Sequence, residues 1–176
     1  MNKLTKAIEK KVYELRMEHG LLNEYKINLD LLANKMGLIV VEEILPTDVS
    51  GLLVVKNGRG NIAVNKNDVK TRKRFTIAHE IGHYHLGHTR KPSIFIDQTR
   101  SYLPKYRNAN SSTGTDWQER EANAFAAALL MPEHLVRKEY NKDPYKAMNN
   151  FEIAEEFGVS QQAMAIRLSN LGYLTL

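Results

Sequence analysis

A short segment around two histidines constrains the fold of this chain more than any other feature. Residues 74–86 hold the pattern H-E-I-G-H, at positions 79–83, among apolar neighbours such as Phe75 and Ile77. Histidines four residues apart lie on the same face of a helix, about one turn from each other. Burying two imidazoles and a carboxylate is costly unless a metal ion or hydrogen bonds satisfy them. The segment therefore predicts a buried helix that carries a metal site; the alternative is a core helix with two histidines by chance.

Glu80 is the candidate catalytic residue of this segment. It is offset by about 100° from His79 around the helix, so its carboxylate lies beside an ion held by His79 and His83. Zinc lowers the pKa of a water molecule toward 7, and a neighbouring glutamate can take the proton and later give it to a leaving amine. The H-E-x-x-H spacing is typical of zinc peptidases.

A catalytic zinc needs a third protein ligand and an open fourth position. A third histidine six residues further on would stand where the chain has Thr89. Glu119 and Glu121 are the remaining candidates, and only one of them can face the ion because residues two apart point about 200° apart on a helix. Both sides of that helix are apolar, so periodicity does not decide. Asn123, one turn after Glu119, could orient a histidine ligand, and the spacing favours Glu119.

Other histidines and tyrosines are weaker candidates. His85 and His88 do not fall on the face of His79 and His83, so we expect them at the surface or supporting a ligand. No pattern selects a donor for the developing oxyanion, and three candidates stay open: Tyr102, Tyr106 and His134.

Hydrophobic periodicity and turn residues predict the other elements. The predicted helices cover residues 3–18, 29–35, 74–86 and 116–131, with two short ones in residues 151–172 separated by residues 158–160. The predicted strands cover residues 38–41, 51–55 and 62–64, the last two forming a hairpin with a loose loop at residues 56–60. Residues 89–115 are predicted to form a long mobile loop that could gate a cleft. The hairpin could offer an edge strand to an extended substrate, or simply cover the core.

Composition excludes several classes of protein. The 176 residues include no cysteine, which excludes disulfide scaffolds, thiolate zinc sites and cysteine nucleophiles. Residues 61–110 carry ten basic and three acidic residues, against a net charge of +5 for the chain, and this basic region is either a solvated face or an attraction for acidic partners. No apolar run approaches the roughly 20 residues needed to span a bilayer, and the first 20 residues lack an apolar signal core. We expect a cytoplasmic protein with no membrane partner.

Two sequence motifs together resemble the ImmA/IrrE family of zinc metallopeptidases. They are FTIAHEIGHYHLGH and, further on, EREANAFAAALLMP; the hairpin GLLVVKNGRGNIAVN and the segment IAEEFGVSQQAMAIRL are also similar. The resemblance covers about residues 5–172. It implies that His79 and His83 are metal ligands, that Glu80 is the general base and that Glu119 is the third ligand, with the match at Asn123 supporting Glu119 over Glu121.

The resemblance also implies a fold and a function. The expected fold is α+β with a zincin-like core, made of a small mixed sheet, the H-E-x-x-H helix and a second helix bearing glutamate, followed by helix-turn-helix-like C-terminal helices. We expect a single domain over residues 1–176, with N-terminal helices and a strand in 1–50, a catalytic core in 51–131 and a helical part in 132–176. Family members cleave helix-turn-helix transcriptional repressors of mobile elements or stress responses. This implies an endopeptidase with one Zn²⁺, or another divalent ion, and a cognate repressor encoded nearby as substrate.

Two other functions compete with this one. Residues 152–170 have the pattern of a DNA-binding helix-turn-helix, but Arg167 is the only cation of its second helix and the C-terminal third of the chain is acidic, so we expect no direct nucleic-acid binding. The other rival is a non-catalytic, zinc-containing interaction protein, such as a toxin–antitoxin component. Glu80 argues against it, because a structural zinc site needs no base there.

Overall fold

Helices and strands form where the apolar spacing of the sequence requires them. The computed structural model describes residues 3–56, 59–88, 94–98, 114–142 and 150–173. The helices are α1 Lys3–Glu18, α2 Leu29–Lys35, α3 Lys70–His85, α4 Gly114–Leu130, α5 Glu133–Lys142, α6 Asn150–Phe157 and α7 Gln161–Asn170. The strands are β1 Leu38–Glu43, β2 Val49–Lys56, β3 Arg59–Asn65 and β4 Ile94–Gln98. This confirms the mixed α+β class.

The chain divides into two compact units. We call residues 28–126 the sheet unit, and residues 1–27 together with 127–176 the helical unit. The boundary falls within α4, and each unit draws on more than one of the three predicted parts 1–50, 51–131 and 132–176. The organisation as one domain with those parts stays a prediction.

The sheet unit holds a four-stranded sheet with the order β1-β3-β2-β4. Strand β1 runs parallel to β3, whereas β2 is antiparallel to both β3 and β4. Leu53 of β2 pairs with Ile62 of β3, and both are fully buried on the face that packs against α3. Gly51 lies on the same face, where a Cβ atom would collide with the side chain of Thr76. The absence of a side chain at Gly51 therefore lets α3 lie directly on the sheet.

Strand β4 corrects, at residues 94–98, the prediction of a long mobile loop over residues 89–115. Residues 94–98 pair with β2, from Ile94 opposite Val54 to Gln98 opposite Val49. The rest of that predicted loop lies outside the described residues, except for the start of α4. Because β4 covers β2, both hairpin strands are interior to the described sheet, so the idea that the hairpin offers an edge strand is wrong.

The hairpin and the site helix are longer than predicted. Strands β2 and β3 extend to the pair Lys56 and Arg59, so the connection has two residues rather than the predicted five. Helix α3 begins at Lys70, four residues before the predicted start, because the polar run 70–74 continues the helix without interruption. The other predicted helices and strand β1 are confirmed, with ends that differ by at most two residues.

Buried arginines bind backbone carbonyls within the helical unit. Arg16 of α1 is fully buried and donates to the carbonyl oxygens of Leu129 at 2.8 Å, Leu21 at 2.7 Å and Glu24. Burial lowers the pKa of Arg16 to about 10, so the guanidinium keeps its charge at neutral pH. Arg167 of α7 donates to the carbonyl of Met131 at 2.9 Å and pairs with Glu9. These bonds satisfy carbonyl groups at the end of α4, where the helix itself supplies no partner.

Within the described part of the chain, none of the helices is long and apolar enough to cross a membrane.

Candidate metal centre

Two histidines of α3 point at one position within the sheet unit. His79 and His83 are one helical turn apart, and their Nε2 atoms lie 3.0 Å from each other. Both side chains are buried, with relative exposures of 0% and 1%. The neighbouring residues of α3 are buried as well, since residues 76–83 are all buried. The helical spacing of the two histidines thus places two ring nitrogens at a single site.

Glu119 of α4 completes the cluster. One of its carboxylate oxygens lies 3.3 Å from Nε2 of His79, and the other lies 3.3 Å from Nε2 of His83. The side chain of Glu119 is 27% exposed, whereas its Oε2 atom is buried. The ligand atoms of these three residues lie within 4.8 Å of one another, as a group that could hold a metal ion.

The spacing of the donor atoms fits a single divalent ion. Nitrogen and oxygen ligands that surround zinc tetrahedrally at about 2.0–2.2 Å lie roughly 3.3–3.5 Å apart. The observed separations of 3.0 and 3.3 Å are close to these values. Two imidazoles and a carboxylate are also a donor set that suits zinc and several other divalent ions. The residues present therefore fit the group that the sequence motif implies.

The close approach of α4 to α3 depends on Gly82. A Cβ atom at this position would lie 3.1 Å from Cδ1 of Phe125 and 3.2 Å from its Cβ and Cγ. Phe125 of α4 is fully buried against this glycine. Gly82 therefore allows α4 to lie near enough for Glu119 to reach the histidines.

The electrostatics of the cluster keep Glu119 ionised and His83 neutral. Burial by itself would raise the pKa of Glu119, but its favourable interactions with the imidazoles of His79 and His83 outweigh it and hold this pKa far below its ordinary value. Burial lowers the pKa of His83, an effect that Glu119 only partly offsets. A carboxylate anion and an imidazole with a lone pair are the protonation states that a metal ion requires of its ligands.

Asn123 contacts the second ring nitrogen of His79, Nδ1. Its Oδ1 lies 3.1 Å from Nδ1 of His79, so the ring donates its Nδ1–H to the amide oxygen. This tautomer leaves the lone pair on Nε2, which faces Glu119. Glu119 and Asn123 thus act from the same side of α4, one turn apart, as their spacing indicates.

The second ring nitrogen of His83, Nδ1, contacts a histidine instead of an asparagine. Its Nδ1 lies 3.0 Å from Nδ1 of His88, and Nε2 of His88 lies 3.2 Å from Oε2 of Glu121. Burial lowers the pKa of His88 most strongly, with nearby His83 acting in the same direction. Glu121 therefore contacts His88 rather than the pair formed by His79 and His83. The sequence pattern alone gave no reason to connect Glu121 with His88.

Glu80 directly follows His79 on α3. Its side chain is fully buried with His79. A glutamate in this position could accept and donate protons beside the cluster. Its role as general base stays a prediction.

The remaining sequence candidates lie elsewhere. His85 is on another face of α3, where its ring lies 5.3 Å from that of Phe125. His134 belongs to the helical unit, and its Nε2–H donates to the carbonyl of Leu22 at 2.7 Å. Tyr102 and Tyr106 lie outside the described residues. The donor that would stabilise an oxyanion stays unassigned.

The fold and this cluster define a class: an α+β protein with a candidate His-His-Glu metal centre built from two helices. The sequence profile of the peptidase M78 family, described as the IrrE N-terminal-like domain, matches residues 33–169. The match covers well over half of the chain, so the chain belongs to this peptidase family. The predicted membership of the ImmA/IrrE family is thereby confirmed.

Individual proteins similar to this chain include a metallopeptidase and a transcriptional regulator. Metallopeptidase ImmA of Bacillus subtilis (strain 168) is 26% identical over 173 residues, which cover 96% of this chain and 88% of that protein. A solved structure of a Mycobacterium tuberculosis transcriptional regulator has a TM-score of 0.55 at 17% identity, covering 96% of this chain and 47% of that one. This chain therefore spans about half of the regulator, and the likeness to it shows the fold alone.

Proposed function

We propose that the protein is a zinc-dependent endopeptidase that cleaves a specific regulatory protein, a helix-turn-helix transcriptional repressor. The observation that carries the proposal is the convergence of His79, His83 and Glu119 on one position in a member of a peptidase family. Similarity to a protein named as a metallopeptidase supports the same reaction. Cleavage of a repressor is what the family resemblance implies, and it would take place in the cytoplasm.

The chemistry divides among five residues. His79, His83 and Glu119 would hold the ion, which when bound supplies a Lewis acid for the peptide carbonyl and makes a water molecule more acidic. Glu80 takes the proton of the attacking water and delivers it to the nitrogen of the leaving amine. Asn123 keeps the ring of His79 in the tautomer whose Nε2 faces the site.

A non-catalytic protein with a structural metal is the alternative, and Glu80→Gln separates the two. The substitution keeps the shape of the side chain and removes its capacity to accept a proton. We expect it to retain one zinc per chain and to lose cleavage, whereas His79→Ala loses both. Glu155→Gln, at an exposed position of α6, is the matched control and should retain both. Biological activity that survives Glu80→Gln would favour the interaction protein.

Direct recognition of DNA by the C-terminal helices has little support. Arg167, the cation expected to face a DNA groove, has an exposed fraction of 3% and is bound to Met131 and Glu9. We therefore propose that α6 and α7 serve packing or substrate docking. Gel-shift assays at low salt test this, and sequence-specific binding would contradict it.

The substrate is identified by co-expression with a neighbouring repressor, followed by mass spectrometry of the fragments. We expect one dominant cut in the presence of wild-type protein and none with Glu80→Gln. Intact repressor in both samples would contradict the proposed substrate while leaving the metal site to be tested separately.

A further inference from the structure

Two residues outside the ligand set, His88 and Glu121, form a partly buried hydrogen-bonded chain that ends on a proposed ligand. His88 bridges the two helices: one ring nitrogen meets His83 and the other meets Glu121. The side chain of His88 is only 6% exposed and that of Glu121 is 21% exposed. We propose that this Glu121–His88 relay positions His83 for metal binding, an inference that rests on the proposed metal site.

The polarity of the relay follows from its carboxylate end. A carboxylate oxygen accepts hydrogen bonds, so Nε2 of His88 must carry the proton that it shares with Glu121. In a neutral ring the other nitrogen, Nδ1, is then an acceptor, and Nδ1 of His83 must donate to it. The lone pair of His83 is left on Nε2, which lies 3.3 Å from the carboxylate of Glu119. Glu121 thus selects the tautomer of a ligand that it does not touch.

The backbone places His88 for this role. Helix α3 ends at His85, and Gly87 adopts a left-handed conformation with φ of 74°. Its N–H bonds the carbonyl of Tyr84 at 3.1 Å, while the N–H of His88 bonds the carbonyl of His83 at 3.0 Å. This pair of bonds is the Schellman motif that commonly closes helices with glycine. The turn folds residue 88 back toward residue 83, one turn earlier in the helix.

The two proposed histidine ligands therefore have different hydrogen-bond partners, and both sets of contacts lead to α4. Asn123 contacts His79 directly, whereas Glu121 reaches His83 through a second imidazole. Hydrogen-bond partners of ligand histidines fix the orientation of the ring and raise its basicity, and their loss commonly weakens metal binding by about 10–100-fold. Glu119 and Glu121 thus both belong to the site, one as proposed ligand and the other as positioning residue.

The test measures zinc affinity of the full chain by competition with a chromophoric chelator. We expect His88→Ala and Glu121→Gln to weaken zinc binding by about 10-fold or more. His88→Gln should recover part of the loss, since its side-chain oxygen can accept from Nδ1–H of His83. His85→Gln is the matched control, because it changes a neighbouring histidine outside the relay, and it should bind as tightly as the wild type.

A spectroscopic readout separates positioning from a general loss of structure. In the zinc-loaded wild type, nitrogen-15 NMR should show His83 protonated on Nδ1 and hydrogen-bonded. Glu121→Gln should shift or broaden that resonance while leaving the signal of His79 unchanged. Wild-type affinity and an unchanged His83 signal in both relay variants would overturn the inference but leave the proposed function intact. A wild-type chain that binds no zinc would instead overturn the proposed site itself.

Discussion

Nδ1 of His79 lies 3.1 Å from Oδ1 of Asn123, the residue one turn after Glu119 on the opposing helix. One helix face therefore supplies both a proposed ligand and the group that orients another ligand. Substituting Glu119 or Asn123 should therefore weaken binding of the same metal ion, but to different extents.

Asn123→Ala should weaken zinc binding by about 10-fold or more, because the ring of His79 loses the acceptor that fixes its tautomer. Asn123→Asp keeps an oxygen acceptor in place and should bind zinc at least as tightly as the wild type. Isothermal titration with zinc in a competing buffer measures both. Equal affinities for the alanine variant and the wild type would show that Asn123 does not orient the ligand.

Gly82→Ala should lower the free energy of unfolding by about 1 kcal/mol. Alanine gains about 1 kcal/mol in helix propensity, but overpacking commonly costs about 1–3 kcal/mol. The contacts of the added Cβ include Cβ of Phe125, which cannot swing away without moving the backbone of α4. Urea denaturation measures the stability, and the same variant should bind zinc more weakly because Glu119 is displaced. A gain in stability would contradict the close packing of the two helices.

Arg16→Met should destabilise the chain by about 2–4 kcal/mol, since buried carbonyl groups lose their donors at a cost of about 1–3 kcal/mol each. Arg16 donates to Leu129 and Leu21 from one planar group. Arg16→Lys keeps the charge but lacks the planar set of donors, so its stability should lie between those of the wild type and the methionine variant. Thermal and urea unfolding are the measurements. A methionine variant as stable as the wild type would mean that water replaces the guanidinium.

The pH dependence of stability should report on Glu139. Burial alone would raise the pKa of Glu139, but hydrogen bonds from Lys142 and Tyr25 outweigh it and lower this pKa. The ionised carboxylate therefore adds stability above the ordinary glutamate value of about 4.3, and that stability is lost as the pH falls through the lower folded pKa.

Tyr25→Phe removes one of these donors. The variant should be about 1 kcal/mol less stable at pH 7 and should lose less stability than the wild type as the pH falls below about 4.3. Urea unfolding between pH 7 and 3 measures the difference. Tyr13→Phe, at a tyrosine that is 48% exposed, is the control and should run parallel to the wild type. Parallel profiles for Tyr25→Phe would contradict the role of its hydroxyl group.

Helix positions in the sequence carried most of the information about the site. The four-residue spacing of His79 and His83 and the step from Glu119 to Asn123 are local properties of a helix, so periodicity is enough to predict them. The sequence could not choose firmly between Glu119 and Glu121, because both faces of α4 are apolar. In the structure Glu119 contacts both histidines of the pair, whereas Glu121 contacts His88.

Features that depend on pairing between residues far apart in the chain could not be predicted from the sequence. Strand β4 is short and lies among proline, serine and threonine residues, and its identity depends on pairing with β2 about 45 residues earlier. Missing it left open the alternative that the hairpin offers an edge strand, which the order of the described sheet excludes. The sequence left His88 open between the surface and a position that supports a ligand, because counting along a helix fails once Gly87 turns the chain back. A glycine directly after a helical segment was the available signal.

We propose that α3 and α4 together hold one divalent ion. Anomalous diffraction at the zinc edge, from crystals grown with zinc, would locate this ion. We expect one strong peak within about 2.0–2.2 Å of Nε2 of His79, Nε2 of His83 and a carboxylate oxygen of Glu119. A peak held by other residues, or its absence from these three in zinc-saturated crystals, would contradict the account.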